Sequence, residues 1–455
     1  MAWIRLDPIT RRRLERFRSI KRGWYSLVVL GAAMVLSVFA SFLAESRALV
    51  VWYGGRVYFP TFTYYEAGRF GQEPPPGWGT GDLEADYLRL QREWDLERVL
   101  YERERTAIVG DDRVALAALE EKYANRQNRV FMPPIPWDPY RSDFWYNEIL
   151  RDVQAELDRD ANLRAELLAR RDGLDELADA IASGDIETML ADPERSLTGD
   201  LLGLARSGAM PSLAGLGALP PTAPDLRRHH YLGTDSQGRD VASRLLYGFR
   251  ISIFFSLFLV LVSQVVGTAV GSLQGYIGGR FDLLSQRLIE VLLSIPFLYV
   301  VIIMGALFAP TFWLLLAIMA AFQWITITFY MRTEMYREKT REYCLAARSY
   351  GASHARVVFR HLLPNSLTPL VTFTPFAVVA AIFTLTALDY LGYGLPAPTP
   401  SWGEMLDQAL LAENRDRLWL TLAPFGALTF TLVLVVFIGE SVREAFDPKR
   451  YSRYE

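Results

Sequence analysis

Six stretches of this chain run for about 20 residues with almost no charge, the length an α-helix needs to cross the hydrocarbon of a bilayer. They cover 25–45, 250–277, 288–309, 311–332, 366–389 and 418–439. Inside hydrocarbon every backbone N–H and C=O must find its partner within the chain, so segments of this kind are expected as helices. The expected fold is therefore an all-α polytopic membrane protein with six transmembrane helices. The first stretch follows a basic tail, as a secretory signal would. Its apolar run is long for one, and the small residues near Ala44 make only a weak cleavage site.

Lys and Arg near the ends of the stretches set the expected orientation. The N-terminal tail carries Arg5, Arg11, Arg12, Arg13, Arg16, Arg18, Lys21 and Arg22; the loop between stretches four and five carries seven, counted from Arg332. The tail 441–455 adds Arg443, Lys449, Arg450 and Arg453, and the short loop between stretches three and four has none. Both termini are thus expected in the cytoplasm, and residues 46–249 form an external insert. The Arg-rich character of that insert is no objection, because long domains cross regardless of charge. Residues 1–24 read either as a basic amphipathic helix on the inner membrane face, opened by Asp7 and Pro8 with Leu14, Phe17 and Trp24 among the arginines, or as a positive topology signal alone.

The stretch 250–277 holds Ser263, Gly267, Gly271 and Gly275, a small residue at every fourth position, which places all four on one helix face. Another helix is expected to approach closely there. Pro296, Pro375 and Pro424 each remove a backbone donor and are expected to bend their helices or free local carbonyls. Glu290, Asp389 and Glu440 sit near the ends of their stretches and suggest no proton relay.

Within the insert, Val50–Tyr53 and Arg56–Phe59 flank Gly54-Gly55, a hairpin signal. Leu83, Tyr87, Leu90, Trp94 and Tyr101, and later Leu150, Val153 and Leu157, follow helical spacing. Between them lies a Pro-rich aromatic break over 133–139. The expectation is a mainly helical insert with a charged helical hairpin in 80–200, its faces solvated or in contact with a partner, and a linker over 196–224.

The loop 334–365 is the most informative segment. From Glu342 it reads EYCLAARSYGASHARVVFRHLLPN. Ala, Arg and Glu favour helix, Gly351 interrupts it, Ser353 can cap the next turn, and Pro364 is expected to end the second helix. A short helix–turn–helix with small residues at its bend suits insertion into a groove on another protein.

At these residues the chain resembles the permeases of binding-protein-dependent importers, whose cytoplasmic signature is E-A-A, three residues, Gly, nine residues, I-x-L-P. The matching positions are Leu345, Ala346 and Ala347, then Gly351 with Ala352 and Ser353 after it, then His361, Leu363 and Pro364. Leu345 stands where Glu is usual, and His361 where Ile is usual. YLGTDSQGRDVASRLLYGFRISI from Tyr231, LGYGLPAPTPSW from Leu391 and IGESVREAFDPKR resemble the peptide-transporting branch. SLQGYIGGRFD, LTALDYLGYGLP and RVYFP resemble the Yej-type permeases of microcin C and oligopeptide import. The resemblance covers the first 60 or so residues and nearly everything after 225, and leaves most of 80–220 as an elongation of the first external loop. It implies the type I ABC importer arrangement in a bacterial inner membrane. Its partners would be a second homologous permease subunit, cytoplasmic ATP-binding subunits on one or two chains, and a periplasmic solute-binding protein, with no cofactor.

A phosphate-binding loop needs Gly immediately before its Lys. The four lysines follow Ile20, Glu121, Glu338 and Pro448, so the chain has no such loop and is not expected to be an enzyme. His229 and His230 are adjacent and make a poor metal pair; like His354 and His361 they read as surface histidines. Cys344, the lone cysteine, reads as a small packing residue. A net charge of −3 gives no basic surface for nucleic acid. The histidines give a membrane-embedded enzyme no good metal pair, and a membrane anchor or receptor whose insert is the working part would need neither six spans nor this loop. No residue identifies a specific cargo site.

Overall fold

The computed structural model describes residues 8–72, 84–107, 113–140, 221–226 and 229–446. Leu83, Leu150, Val153, Leu157 and most of the expected linker lie outside them. The chain forms two compact units, residues 1–38 with 245–455, and residues 39–244.

In the first unit four helices are long and apolar enough to cross a membrane: Val241–Ile277, Phe312–Glu338, Thr368–Tyr390 and Leu418–Phe446. A fifth crossing can be made by a pair, Gly279–Ser294 and Phe297–Leu307, bent by 70°. The expected stretch 288–309 is broken where Pro296 is expected to bend it, and its first part begins earlier, at Gly279. Ile295 is extended (φ −83°, ψ 119°), as a residue before proline is driven to be, and Pro296 caps the second helix. Pro375 and Pro424 instead lie inside continuous helices. The N-terminal helix ends at Ser19 rather than running to Trp24, and a separate helix, Lys21–Val38, follows it. That second helix packs on Leu418–Phe446. A β-carbon added at Gly23 would overlap the Ser441 side chain, and Arg22 reaches Glu444 at 3.4 Å.

The glycine face of the 241–277 helix lies against the 312–338 helix. Added β-carbons would collide with the carbonyl of Trp324 at Gly267, stand 2.5 Å from the Thr328 carbonyl oxygen at Gly271, and 2.6 Å from the Arg332 carbonyl oxygen at Gly275. Partners rise by four as the glycines do, so the two helices run parallel. The chain between them must return from the end of one to the start of the other, and the bent pair makes that return. Asp282 fixes the pair to the 312–338 helix through Arg332 Nε and Nη2, both at 2.6 Å, and the Tyr336 hydroxyl at 2.8 Å. The LGYGLPAPTPSW segment is held by the buried Asp389, which accepts from Leu395 N at 2.7 Å and Ser401 Oγ at 2.5 Å; Trp402 Nε1 donates to the Leu245 carbonyl at 3.1 Å.

The second unit adds a small sheet to the expected helices, so the chain is not purely α. Strands β1 (Val50–Tyr53), β2 (Arg56–Tyr58) and β3 (Arg129–Phe131) pair antiparallel in the order β2-β1-β3. Gly54 and Gly55, with φ +57° and +76°, make the tight turn that only positive φ at both central positions allows. Val51 and Val130 face inward onto Phe70, Tyr87, Leu90 and Trp94, which seats the Tyr87–Ala107 helix on the sheet. That helix folds back against Arg113–Lys122 through Tyr101, Leu119 and Tyr123. The Pro-rich segment is a strap along 43–45: Ile135 N donates to the Leu43 carbonyl at 2.9 Å, and Glu45 N to the Ile135 carbonyl at 3.1 Å. His230 is not a surface residue. It is 1% exposed, stacked on Trp137 and 2.8 Å from Asp240 Oδ2, because the motif around it is a buried polar knot in which Asp235 binds Arg239 and Arg244. Among the described residues no three His, Cys, Asp or Glu gather as a metal site would need.

Candidate coupling loop

Between the 312–338 and 368–390 helices the chain makes two short helical runs around a sharp bend. The first is Glu342–Ser349. It closes with the two bonds of a Schellman cap, Gly351 N to the Arg348 carbonyl at 3.0 Å and Ala352 N to the Ala347 carbonyl at 3.1 Å. Gly351 holds φ +78°, a conformation that side chains disfavour. The spacing of Ala347, Gly351 and Ala352 is therefore what this cap requires. Ser353 opens the second run, its hydroxyl accepting from Arg356 N at 3.4 Å.

The second run, 354–365, corrects one expectation. Pro364 does not end it, since helix continues to Asn365 and the wider π-winding occupies Val357–Leu362. Proline has no N–H for the carbonyl four residues back, and the turn ahead of it loosens accordingly. The wide turn places Val357 and Leu362, five apart, on one buried face with Cys344, Met331 and Met335. Here sequence reasoning missed the anchors. His361 and Leu363 are only half-buried, while Val357 and Leu362 are fully buried; the burial of Cys344 agrees with its reading as a packing residue.

A buried acid ties the first run down. Glu338, 6% exposed, lies 3.2 Å from Arg341 Nε and accepts from the Tyr343 hydroxyl at 2.8 Å. Burial and that bond push the Tyr343 hydroxyl up to about 12. Lys339, lowered by burial, donates from Nζ to the Gly275 carbonyl at 2.6 Å. Tyr276 reaches His354. Both contacts hold the loop to the end of the glycine-faced helix.

The outward side carries different residues. Leu345, Ala346, Gly351, Ser353 and Pro364 are exposed there; Ala347 and Ala352 are half-buried at the cap. Tyr350 and Phe359, 92% and 71% exposed, stand out on the same loop. No sequence signal marks Phe359 as exposed, since it lies three residues from the buried Leu362, in ordinary helical phase with it. Ser263, the fourth small residue of the glycine face, lines a cavity with Gln264, Thr326 and Ile327. What the loop offers is a set of exposed apolar and aromatic side chains, together with the exposed Arg341, Arg348, Arg356 and Arg360, on an anchored base.

A family described as binding-protein-dependent transport system inner membrane component matches residues 267–451. The peptidoglycan transport system permease protein YejE of Agrobacterium fabrum is 45% identical over 224 residues, 49% of this chain and 58% of that protein, so the chain spans less than two thirds of this relative. The inner membrane ABC transporter permease protein YejE of Escherichia coli is 31% identical over 446 residues, 98% of this chain and 99% of that protein. The dipeptide transport system permease protein DppC of Bacillus subtilis is 34% identical over 231 residues, 51% of this chain and 71% of its own. The second alignment takes in the 80–220 region, so that elongation has a counterpart there.

Proposed function

The chain belongs to the inner membrane components of binding-protein-dependent transport systems, a permease of the Yej-like peptide branch, and on that premise we propose that it forms half of the pathway by which an ABC importer carries peptides across the inner membrane. The other half is a second, related permease subunit. ATP is hydrolysed by separate cytoplasmic subunits, whose groove receives the loop around Gly351, and an external binding protein delivers the cargo. In this reading six helices cross the membrane, with Lys21–Val38 as the first. Both termini are cytoplasmic, and the 46–249 insert faces outward, where the loaded binding protein docks.

The observation that carries the reading is the loop. Exposed apolar and aromatic side chains, Leu345, Tyr350 and Phe359, stand on one short loop with a capped, buried base. An exposed patch of that kind calls for a protein partner. Leu345 meets that partner by apolar contact where the family uses an acid, and the neighbouring arginines supply the charge.

Oligopeptides and microcin C-like peptides are the cargo class. A second reading, peptides released from peptidoglycan, is favoured by the name of the Agrobacterium relative. Reconstitution of the permease pair with its ATP-binding subunits and binding protein tests both. ATP-dependent uptake of labelled oligopeptides, competed by unlabelled ones, is expected; competition by muropeptides at lower concentration selects the second cargo. An assembled complex that hydrolyses ATP but takes up neither would overturn the reading.

A further inference from the structure

A cavity of about 210 Å³ lies in the first unit between the 241–277, 312–338 and 368–390 helices. It is far larger than the roughly 30 Å³ a water takes. It is smaller than the clefts of about 300–1,000 Å³ that enclose a whole small molecule. Its lining includes Ser263, Gln264, Gln323, Thr326, Tyr330 and Phe373, and no lining residue carries a charge.

Two of these side chains are more than nine-tenths buried and incompletely bonded: Ser263 Oγ and Gln264 Oε1 have no partner. The orientation of Gln264 is fixed by its neighbour. Thr374 gives its hydroxyl proton to the Leu370 carbonyl at 2.6 Å, so it can only accept from Gln264 Nε2, at 3.2 Å. The carboxamide oxygen is then left as a free acceptor. A buried acceptor without a donor is costly, more so in an apolar bundle. Beside it, the rings of Tyr330 and Phe373 stack at 4.2 Å and present flat apolar surface. A neutral donor with a flat body, as a peptide N–H is, matches this acceptor and its lining. A charged terminus or side chain would enter a site that offers it no counter-charge.

We propose that this cavity is a subsite for one uncharged peptide bond of the cargo, its N–H donated to Gln264 Oε1 and its amide plane resting on the Tyr330–Phe373 pair. The subsite rests on the peptide-importer reading above. It reads backbone rather than side chains, so it serves peptides of varied sequence, and leaves selection to the binding protein.

The test uses the complete complex in proteoliposomes, with an oligoalanine peptide methylated at each peptide nitrogen in turn, supplied at concentrations that saturate the binding protein. The unaltered complex should carry at least one methylated form about fivefold more slowly than the parent, the size expected for one hydrogen bond. In Gln264→Leu that difference should disappear. Gln264→Met, close in volume to glutamine, reads the same ratio if the leucine variant does not assemble. A photoreactive peptide in the unaltered complex should label residues 323–330 or 373–380. Equal discrimination in variant and unaltered complexes, or labelling confined to other segments, would overturn the subsite while leaving the importer reading intact. No uptake of any peptide by the unaltered complex would overturn the importer reading itself.

Discussion

The hydroxyl of Tyr276 lies 2.6 Å from Nδ1 of His354. Tyr276 stands in the last turn of the 241–277 helix, and His354 is the first residue after the Ser353 cap. This bond and the one from Lys339 to Gly275 join the loop to a helix long and apolar enough to span a membrane, so under the proposed docking a push on the loop reaches that helix directly. Tyr276→Phe and His354→Ala should each lower peptide uptake per ATP hydrolysed severalfold, with the loss in the double variant less than the sum, because one bond serves both. A net hydrogen bond is worth about 0.5–1.5 kcal/mol, and the coupling should fall in that range. Additive losses would show that the two residues act separately.

At Gly351 the constraint is the backbone. A β-carbon there meets no atom of this chain within 4 Å, but φ is +78°. Gly351→Ala should destabilise the turn by about 1 kcal/mol, and Gly351→Asn by less, since asparagine tolerates that conformation. Gly351→Trp carries the same backbone cost as alanine and adds bulk on the proposed docking face. Uptake should fall far more in the Trp variant than in the Ala variant, with detergent-phase melting of the permease similar in the two. Equal uptake in all three would remove the bend from the docking surface.

Gly271 faces a backbone carbonyl that a side chain cannot push aside. Gly271→Leu should cost about 3 kcal/mol or more, by forcing the 241–277 and 312–338 helices apart. Gly31→Leu, where an added β-carbon meets nothing within 4 Å, should cost little in the isolated permease. Yields of monodisperse permease and thermal midpoints in one detergent check the contrast.

Cys344 is fully buried, and burial pushes its thiol above the ordinary range. The folded state holds this proton more tightly than the unfolded chain does. The associated stability is complete below the ordinary thiol pKa and is lost as pH rises through the raised one. Alkylation in the native protein should be slow at neutral pH and rapid on unfolding. Cys344→Ser, which sets a hydroxyl in an apolar cluster, should be less stable than Cys344→Ala by about 1–3 kcal/mol.

The alanine variant gives the background for topology. Cysteines at Val114, in the insert, and at Ser452, in the tail, should react from outside and not from outside, respectively. The reverse pattern would invert the orientation.

Much of this was legible in the residues. Glycines four apart identified a helix face built for close approach, and Gly54-Gly55 identified a hairpin, because positive φ leaves few alternatives. The third strand was not legible: Arg129–Phe131 is too short to carry a period, and it pairs with a strand nearly eighty residues earlier. His230 was misread because its burial depends on Trp137 and Asp240, which no local pattern brings together. In the loop, the turn was readable from Gly351 and Ser353. The anchors were not, since the π-winding shifts Val357 and Leu362 out of ordinary helical phase.

The parallel glycine contact also limits how the membrane bundle can move. Gly267, Gly271 and Gly275 each sit over the backbone near Trp324, Thr328 and Arg332, a rack whose teeth repeat every four residues. Sliding one helix along the other by less than a full tooth, about 6 Å, would set side-chain-bearing residues against backbone. Small shear is therefore forbidden at this seam, and these two helices must tilt as one piece when the transporter changes state.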